Sequence, residues 1–320
     1  MMLGYLMSEK KLSSDIIFEI KDEIKKSQDN FESIFSVLKT QFEKNELCEI
    51  YSKLLGEIKT PNFLQRLIKE IDKLRHTKNL DDLIDFIMDC DKKDFSDISE
   101  YVNLKVLCIK AISNFKNTKA VPVLLYCLND KNGNYKFRLA AAEALGKIGD
   151  KNAVESLIDV VSDENEKSVY LRESAALALG MIGDKRALDA FIGILEAKKS
   201  FLNKFTFLKE RIIEALNKID FSGNRRAINV LKESLYDESP QVRINAMESI
   251  MNSNIDEAAD LTWKMLYDSD SEVRKNAVVA FYNLEGRDGL IKLLSDETIN
   301  VDCKEEAQNI LLEAEDDEDE

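Results

Sequence analysis

The residues that could do chemistry are few, and their spacing does not favour it. His76 is the single histidine, which excludes an HExxH zinc site and any multi-histidine metal cluster within one chain. Neither a GxxxxGKS/T phosphate loop nor a GxGxxG dinucleotide loop occurs. The five cysteines, Cys48, Cys90, Cys108, Cys127 and Cys303, are odd in number and lack CxxC spacing. They read as buried structural thiols of a reducing compartment. His76 follows Arg75 at the end of an apolar stripe and reads as a helix-end residue favouring the dipole, not as a base. Carboxylates are plentiful but fall mostly at cap and solvent positions. The expectation is therefore no catalytic residue, no metal ligand and no cofactor: a noncatalytic chain.

Elements that could position a binding surface are far clearer. The segment Arg138 to Asp150, RLAAAEALGKIGD, returns 34 residues later as Arg172 to Asp184, RESAALALGMIGD, and fainter copies follow to the C-terminus. Such a period marks a unit that cannot bury its apolar face alone, so stacked neighbours share a core. Seven units can be overlaid on a basic anchor, at Lys105, Arg138, Arg172, Lys209, Arg243, Arg274 and Lys304, with spacings of 30 to 37. Small residues three positions on, such as Ala141, Ala175, Ala246 and Ala277, put the second helix of each unit against its neighbours. First helices, such as the one opened by Ala153-Val-Glu-Ser-Leu-Ile, form the outer layer. Gly149-Asp150 and Gly183-Asp184 each close one helix and open the next, glycine as a left-handed C-cap and aspartate as an N-cap. Asp237 and Asp268, six residues before Arg243 and Arg274, are expected to cap the second helices and pair with a guanidinium of their own or a neighbouring unit. Arg138, Arg172, Arg243 and Arg274 with these two aspartates would then form a ladder that fixes register.

Before the repeats, Ile16, Ile17, Ile20 and Ile24, then Phe31, Ile34, Phe35, Leu38 and Phe42, lie at helical spacing. A third helix covers about 46–58, and Thr60-Pro61 starts a fourth. The predicted organisation is a helical N-terminal cap over 1–78, seven helix pairs over 79–313 and a disordered acidic tail over 314–320. That acidic run, Glu313 to Glu320, holds seven acidic residues in eight positions.

The pattern AxxALGxIGDxxAxxxL is complete at Ala141 to Leu157 and matched at Ala175 to Phe191 except for its last position. It resembles the HEAT-like repeats named after phycobiliprotein lyases, and the resemblance covers about 80–313. It implies an all-α fold, an α-α superhelix whose second helices line a concave groove, in a family used mostly for protein-protein contacts. Members that attach or remove bilins make a bilin-lyase-like chromophore attachment or chaperone role an alternative, and a related DNA glycosylase group makes a nucleic-acid-binding module another. The net charge of -15, still -8 without the tail, argues against nucleic acid and anionic membranes. The repeat signature transfers fold better than activity.

Two surfaces are candidates for a partner. Residues two, five and nine positions after the anchors should face the groove, and they include Met181, Arg211, Asn245, Asn252, Asn276 and Asn283. A row of side-chain amides offers donors and acceptors to the backbone of an extended peptide, in the manner of the asparagine ladders of armadillo proteins. The long connection 198–208, with Phe201, Phe205 and Phe207 among lysines, is the main insertion and could project from one edge. The partner expected is another protein or an extended peptide. No apolar run approaches the roughly 18 to 20 residues that span a bilayer, and the chain reads as cytoplasmic.

Overall fold

The computed structural model describes residues 13–26, 31–90, 92–95, 97–197, 206–253 and 255–318. Its main elements are seventeen α-helices, with no strand among the described residues. In order they are α1 (Ser13–Lys26), α2 (Glu32–Gln41), α3 (Lys44–Glu57), α4 (Pro61–Leu74), α5 (Thr77–Asp89), α6 (Ile98–Asn114), α7 (Val121–Asn129), α8 (Tyr135–Ile148) and α9 (Val154–Ser162). They continue with α10 (Val169–Ile182), α11 (Ala187–Glu196), α12 (Thr206–Leu216), α13 (Arg225–Ser234), α14 (Pro240–Met251), α15 (Ala258–Met265), α16 (Ser271–Ser295) and α17 (Val301–Glu318). The fold class is all-α, helix pairs of the α-α solenoid type. The chain divides into two compact units, Met1–Ser156 and Leu157–Glu320. The last helix, α17, carries helical backbone to Glu318.

In the first unit α3 packs on α4 and α5, α4 on α6, and α6 on α8. Phe35 stacks on Phe63 at 5.2 Å, and Phe31 and Tyr51 meet this pair edge-on. Arg66, whose guanidinium lies 6.0 Å from the Phe35 ring centre, links these rings to Glu70. Glu70 is 3% exposed and has Arg66 Nη2 at 2.9 Å, Lys73 Nζ at 3.1 Å and Lys39 Nζ at 3.2 Å. Burial pushes its pKa up, but the hydrogen bonds from Lys73 and Lys39 outweigh that and hold it below the ordinary carboxylate range. A carboxyl depressed in the folded state contributes stability above its unfolded pKa and loses it as pH falls through the folded value. Glu70→Gln should therefore destabilise the protein at pH 7, and its deficit against wild type should shrink as acid protonates Glu70, read by urea denaturation at the two pH values.

In the second unit the helices that carry the basic anchors stack in succession, α10 on α12, α12 on α14, α14 on α16 and α16 on α17. The outer helices α11, α13 and α15 each pack on the anchor helix of their own pair. Alanines Ala175, Ala178, Ala215, Ala246 and Ala277 are buried between these stacked helices. A close approach lies at Gly180, where a Cβ would lie 2.8 Å from Ala215 Cα. The turn chemistry is also local. Gly149 and Gly183 sit at φ 78° and 69°, and the carboxylates of Asp150 and Asp184 accept the backbone N–H of Asn152 and Arg186. Gly286, at φ 64° and ψ -158°, breaks α16, so that Arg287–Ser295 forms the outer helix of the last pair and α17 its inner one.

Candidate functional site

The anchors define how one pair meets the next. Arg138 Nε donates to Leu128 O and Arg172 Nε to Val161 O, both at 2.9 Å. Arg243 Nη1 donates to Asp237 O and Arg274 Nη1 to Asp268 O, both at 2.8 Å. Each guanidinium thus satisfies carbonyls where the outer helix of its own pair ends, the negative end of that helix dipole. From Lys209 onward the cation also reaches the following pair. Lys209 Nζ lies 2.8 Å from Asp237 Oδ2, Arg243 forks onto Asp268 at 2.7 and 2.8 Å, and Arg274 forks onto Asp302 with Nε at 3.0 Å.

One part of the expected ladder is corrected. Asp237 and Asp268 do not cap α14 and α16. Each accepts a backbone N–H only two residues on, from Ser239 and Asp270; Asp237 gives its other oxygen to Lys209, and both oxygens of Asp268 take Arg243. The caps are Ser239, which takes Val242 N–H, and Asp270, which takes Glu272 and Val273 N–H. The aspartates sit too far before the first turn to reach its free amides.

The face expected to hold a partner is assembled in the second unit by α10, α12, α14 and α16. The register nine positions after the anchors, Met181, Lys218, Asn252 and Asn283, is exposed throughout. Met181 is 52% exposed. The register two positions after is less uniform. Arg211 and Asn276 are exposed and Asn245 is half-buried, whereas Ala140 in the first unit is buried. Asn245 Nδ2 donates to Glu210 O at 3.2 Å and its Oδ1 accepts from Gln241 at 2.8 Å. Asn252 Nδ2 donates to Asn217 Oδ1 at 2.9 Å, and Asn283 Nδ2 stands 3.9 Å from Met251 Sδ. Three of the four amides therefore touch the neighbouring helix pair, while Asn276 donates to Glu272 O of its own helix. Arg211 and Lys218 both hold Glu214, at 2.9 and 3.0 Å. Burial raises the Glu173 pKa; the positive charge of Arg211 opposes this, and the negative charge of Glu210 adds to it.

Of the three edge phenylalanines, Phe207 lies in the first turn of α12, not in a loop, and is 67% exposed. Phe201 and Phe205 lie outside the described residues.

A second arrangement was invisible to spacing. His76 is the N-cap of α5 and not the C-terminal residue of α4; its Nδ1 accepts Lys78 N–H at 3.4 Å. The same ring nitrogen meets Cys48 Sγ at 3.0 Å, and Nε2 meets Asn45 Oδ1 at 3.2 Å. Thiol, imidazole and amide in series are the parts of a thiol nucleophile. Here, however, burial and then the negative charge of Asp82 push the Cys48 thiol pKa up, which favours a thiol donating to the ring over a thiolate. All five cysteines are free and buried. Among the described residues no group of three or more histidine, cysteine and carboxylate side chains could hold a metal ion.

Comparison with known proteins gives a match to the HEAT repeat family model at residues 97–170 and 133–207. No curated protein matches the chain. Among solved structures the chain is similar to the CpcE–CpcF complex of phycocyanin lyase from Nostoc sp. PCC7120, at 22% identity over 72% of this chain and 92% of that one, with a TM-score of 0.46. It is similar to an archaeal HEAT-like repeats protein from Thermococcus onnurineus NA1, at 14% identity over 72% and 95%, with a TM-score of 0.43. It also resembles Kap121p, at 12% identity and a TM-score of 0.48, with 94% of this chain matched to 37% of that one.

Proposed function

Since this chain is a HEAT-like repeat protein, we propose that it is a noncatalytic scaffold or adaptor that holds another protein, as an extended segment, on the exposed faces of its stacked inner helices. The observation that carries this reading is the exposed register of Met181 and Asn283, on α10 and α16, with Lys218 and Asn252, just past the ends of α12 and α14, across four successively stacked helices. A repeated exposed position at one place per unit is the geometry that reads an extended chain, one contact per repeat. The asparagine amides supply donors and acceptors for a peptide backbone. The reading takes the protein as cytoplasmic, supported by five free buried thiols. Among the described residues no helix is long and apolar enough to cross a membrane.

The test is affinity capture with wild type and with Asn245, Asn252, Asn276 and Asn283 all replaced by alanine. The expected result is a partner retained by wild type and weakened about tenfold or more by the variant, from several lost hydrogen bonds. Asn245 and Asn252 also tie α14 to α12, so the pair Asn276→Ala and Asn283→Ala serves as the milder variant, with circular dichroism as the check on folding. Capture unchanged in both variants would sink the asparagine reading.

A further inference from the structure

We propose that the turn edge of the second unit is a docking surface for an extended arginine- or lysine-rich segment of a partner protein, held on a row of exposed aromatic rings set among carboxylates. This surface is separate from the inner-helix faces and does not depend on them. Its rings are Phe207, Tyr236 and Tyr267, which are 67%, 68% and 47% exposed. One belongs to each of three successive helix pairs. Tyr236 and Tyr267 hold the same place in their units, in Leu235-Tyr236-Asp237 and Leu266-Tyr267-Asp268, with each leucine buried and each tyrosine turned outward. Single exposed aromatics are ordinary on a protein surface, but an exposed tyrosine repeated at one place in successive units, with Phe207 in the pair before them, is a pattern that burial does not explain.

The ladder links the turns and helix starts that carry these rings. Lys209 Nζ, two residues from Phe207, reaches Asp237, one residue from Tyr236, at 2.8 Å. Arg243 then holds two turns at once, donating to Asp237 O at 2.8 Å and Glu238 O at 3.3 Å while forking onto the carboxylate of Asp268, next to Tyr267. Tyr267 Oη meets Thr298 Oγ1 of the next turn at 2.8 Å.

Charge complementarity identifies the occupant. Around the two tyrosines and in the turn that follows, residues 235–240, 266–271 and 295–301 contain Asp237, Glu238, Asp268, Asp270, Asp296 and Glu297 and not one lysine or arginine, whereas Phe207 has Lys209 and Arg211 close in sequence. Of the cations that approach, Lys209, Arg243 and Arg274 are tied to ladder carboxylates, the two arginines also to turn carbonyls, and the charge of Lys304 is felt at Asp296. Glu238 and Glu297 remain exposed beside the rings. Aromatic faces attract guanidinium and ammonium groups, and flanking carboxylates accept their hydrogen bonds. An anionic or neutral segment gains neither.

The experiment uses the full chain and a fluorescein-labelled peptide of alternating arginine and serine, with a glutamate-serine peptide as control, read by fluorescence anisotropy at low and moderate salt. The arginine peptide should bind, weaken with salt, and lose about tenfold in affinity to the combined variant Phe207→Ser, Tyr236→Ser and Tyr267→Ser. The pair Asn276→Ala and Asn283→Ala should bind it as wild type does, which separates this surface from the inner-helix reading. Equal binding of the two peptides would overturn the proposal, as would undiminished binding to the triple serine variant, since the overall negative charge would then account for all of it. Self-association of the wild type that the triple variant abolishes would also overturn it, assigning the row to a second copy of the chain.

Discussion

Arg243→Met should destabilise the second unit by about 3 kcal/mol, because it strands a carboxylate that has lost access to water. The Arg243 and Asp268 side chains are 10% and 9% exposed, and the fork between them is closed at 2.7 and 2.8 Å. Removing the cation leaves Asp268 with the Asp270 N–H as a remaining donor and frees the carbonyls of Asp237 and Glu238 that Arg243 had satisfied. Urea denaturation of wild type and variant measures the loss. Because a repeat array is stabilised largely by nearest-neighbour interfaces, amide exchange should rise mainly in α14, α16 and α17. Replacing Asp268 as well, by leucine, should recover part of the loss, since the buried charge goes with it, but the two freed carbonyls remain. Full recovery would mean that the main-chain contacts of the guanidinium contribute nothing. A single Arg243→Met loss below about 1 kcal/mol would mean that the pair behaves as an exposed ion pair.

That arginine marks the limit of what could be read before the structure. The repeat was legible because its signature residues act locally: alanines that allow close packing, and a glycine-aspartate turn whose C-cap and N-cap are adjacent in the chain. The basic anchors were legible as repeated positions, but their chief acceptors were not. Leu128 O and Val161 O are main-chain atoms, and any residue type supplies a carbonyl. The carboxylate partners were only half readable for a related reason. Asp237 is six residues before Arg243, yet its oxygen goes to Lys209, 28 residues back, because stacking brings the preceding pair closer than the helix start. Distance along the chain also concealed the hydrogen bonds among Cys48, His76 and Asn45, which join helices outside the clear repeats. The asparagine row was readable as a register, but spacing could not tell that Asn245 and Asn252 would also tie α14 to α12.

Gly180→Val should cost about 2–3 kcal/mol, and the reason distinguishes this glycine from its neighbours. In the signature ALG it reads as one more small residue of the stacked face, interchangeable with Ala175 or Ala178. Yet a Cβ at 180 would meet Ala215 Cα at 2.8 Å and Ala215 Cβ at 2.9 Å. The first of these is backbone, so no rotamer change relieves the clash, and α10 and α12 must move apart along their whole crossing. Gly180→Ala should already destabilise despite alanine's better helix propensity, and Ala215→Gly should rescue it only in part, because the clash with the main chain of residue 215 persists. Gly193, in the outer helix α11, is exposed, and a Cβ added there would meet nothing within 4 Å. At that position helix propensity acts alone, and Gly193→Ala should stabilise by about 0.5–1 kcal/mol. Urea denaturation of these variants decides the matter. Opposite signs for Gly180→Ala and Gly193→Ala would locate the demand for glycine in the packing of α10 against α12, whereas a stabilising Gly180→Ala would mean that the two helices give way easily and that the signature glycine is not required for stacking.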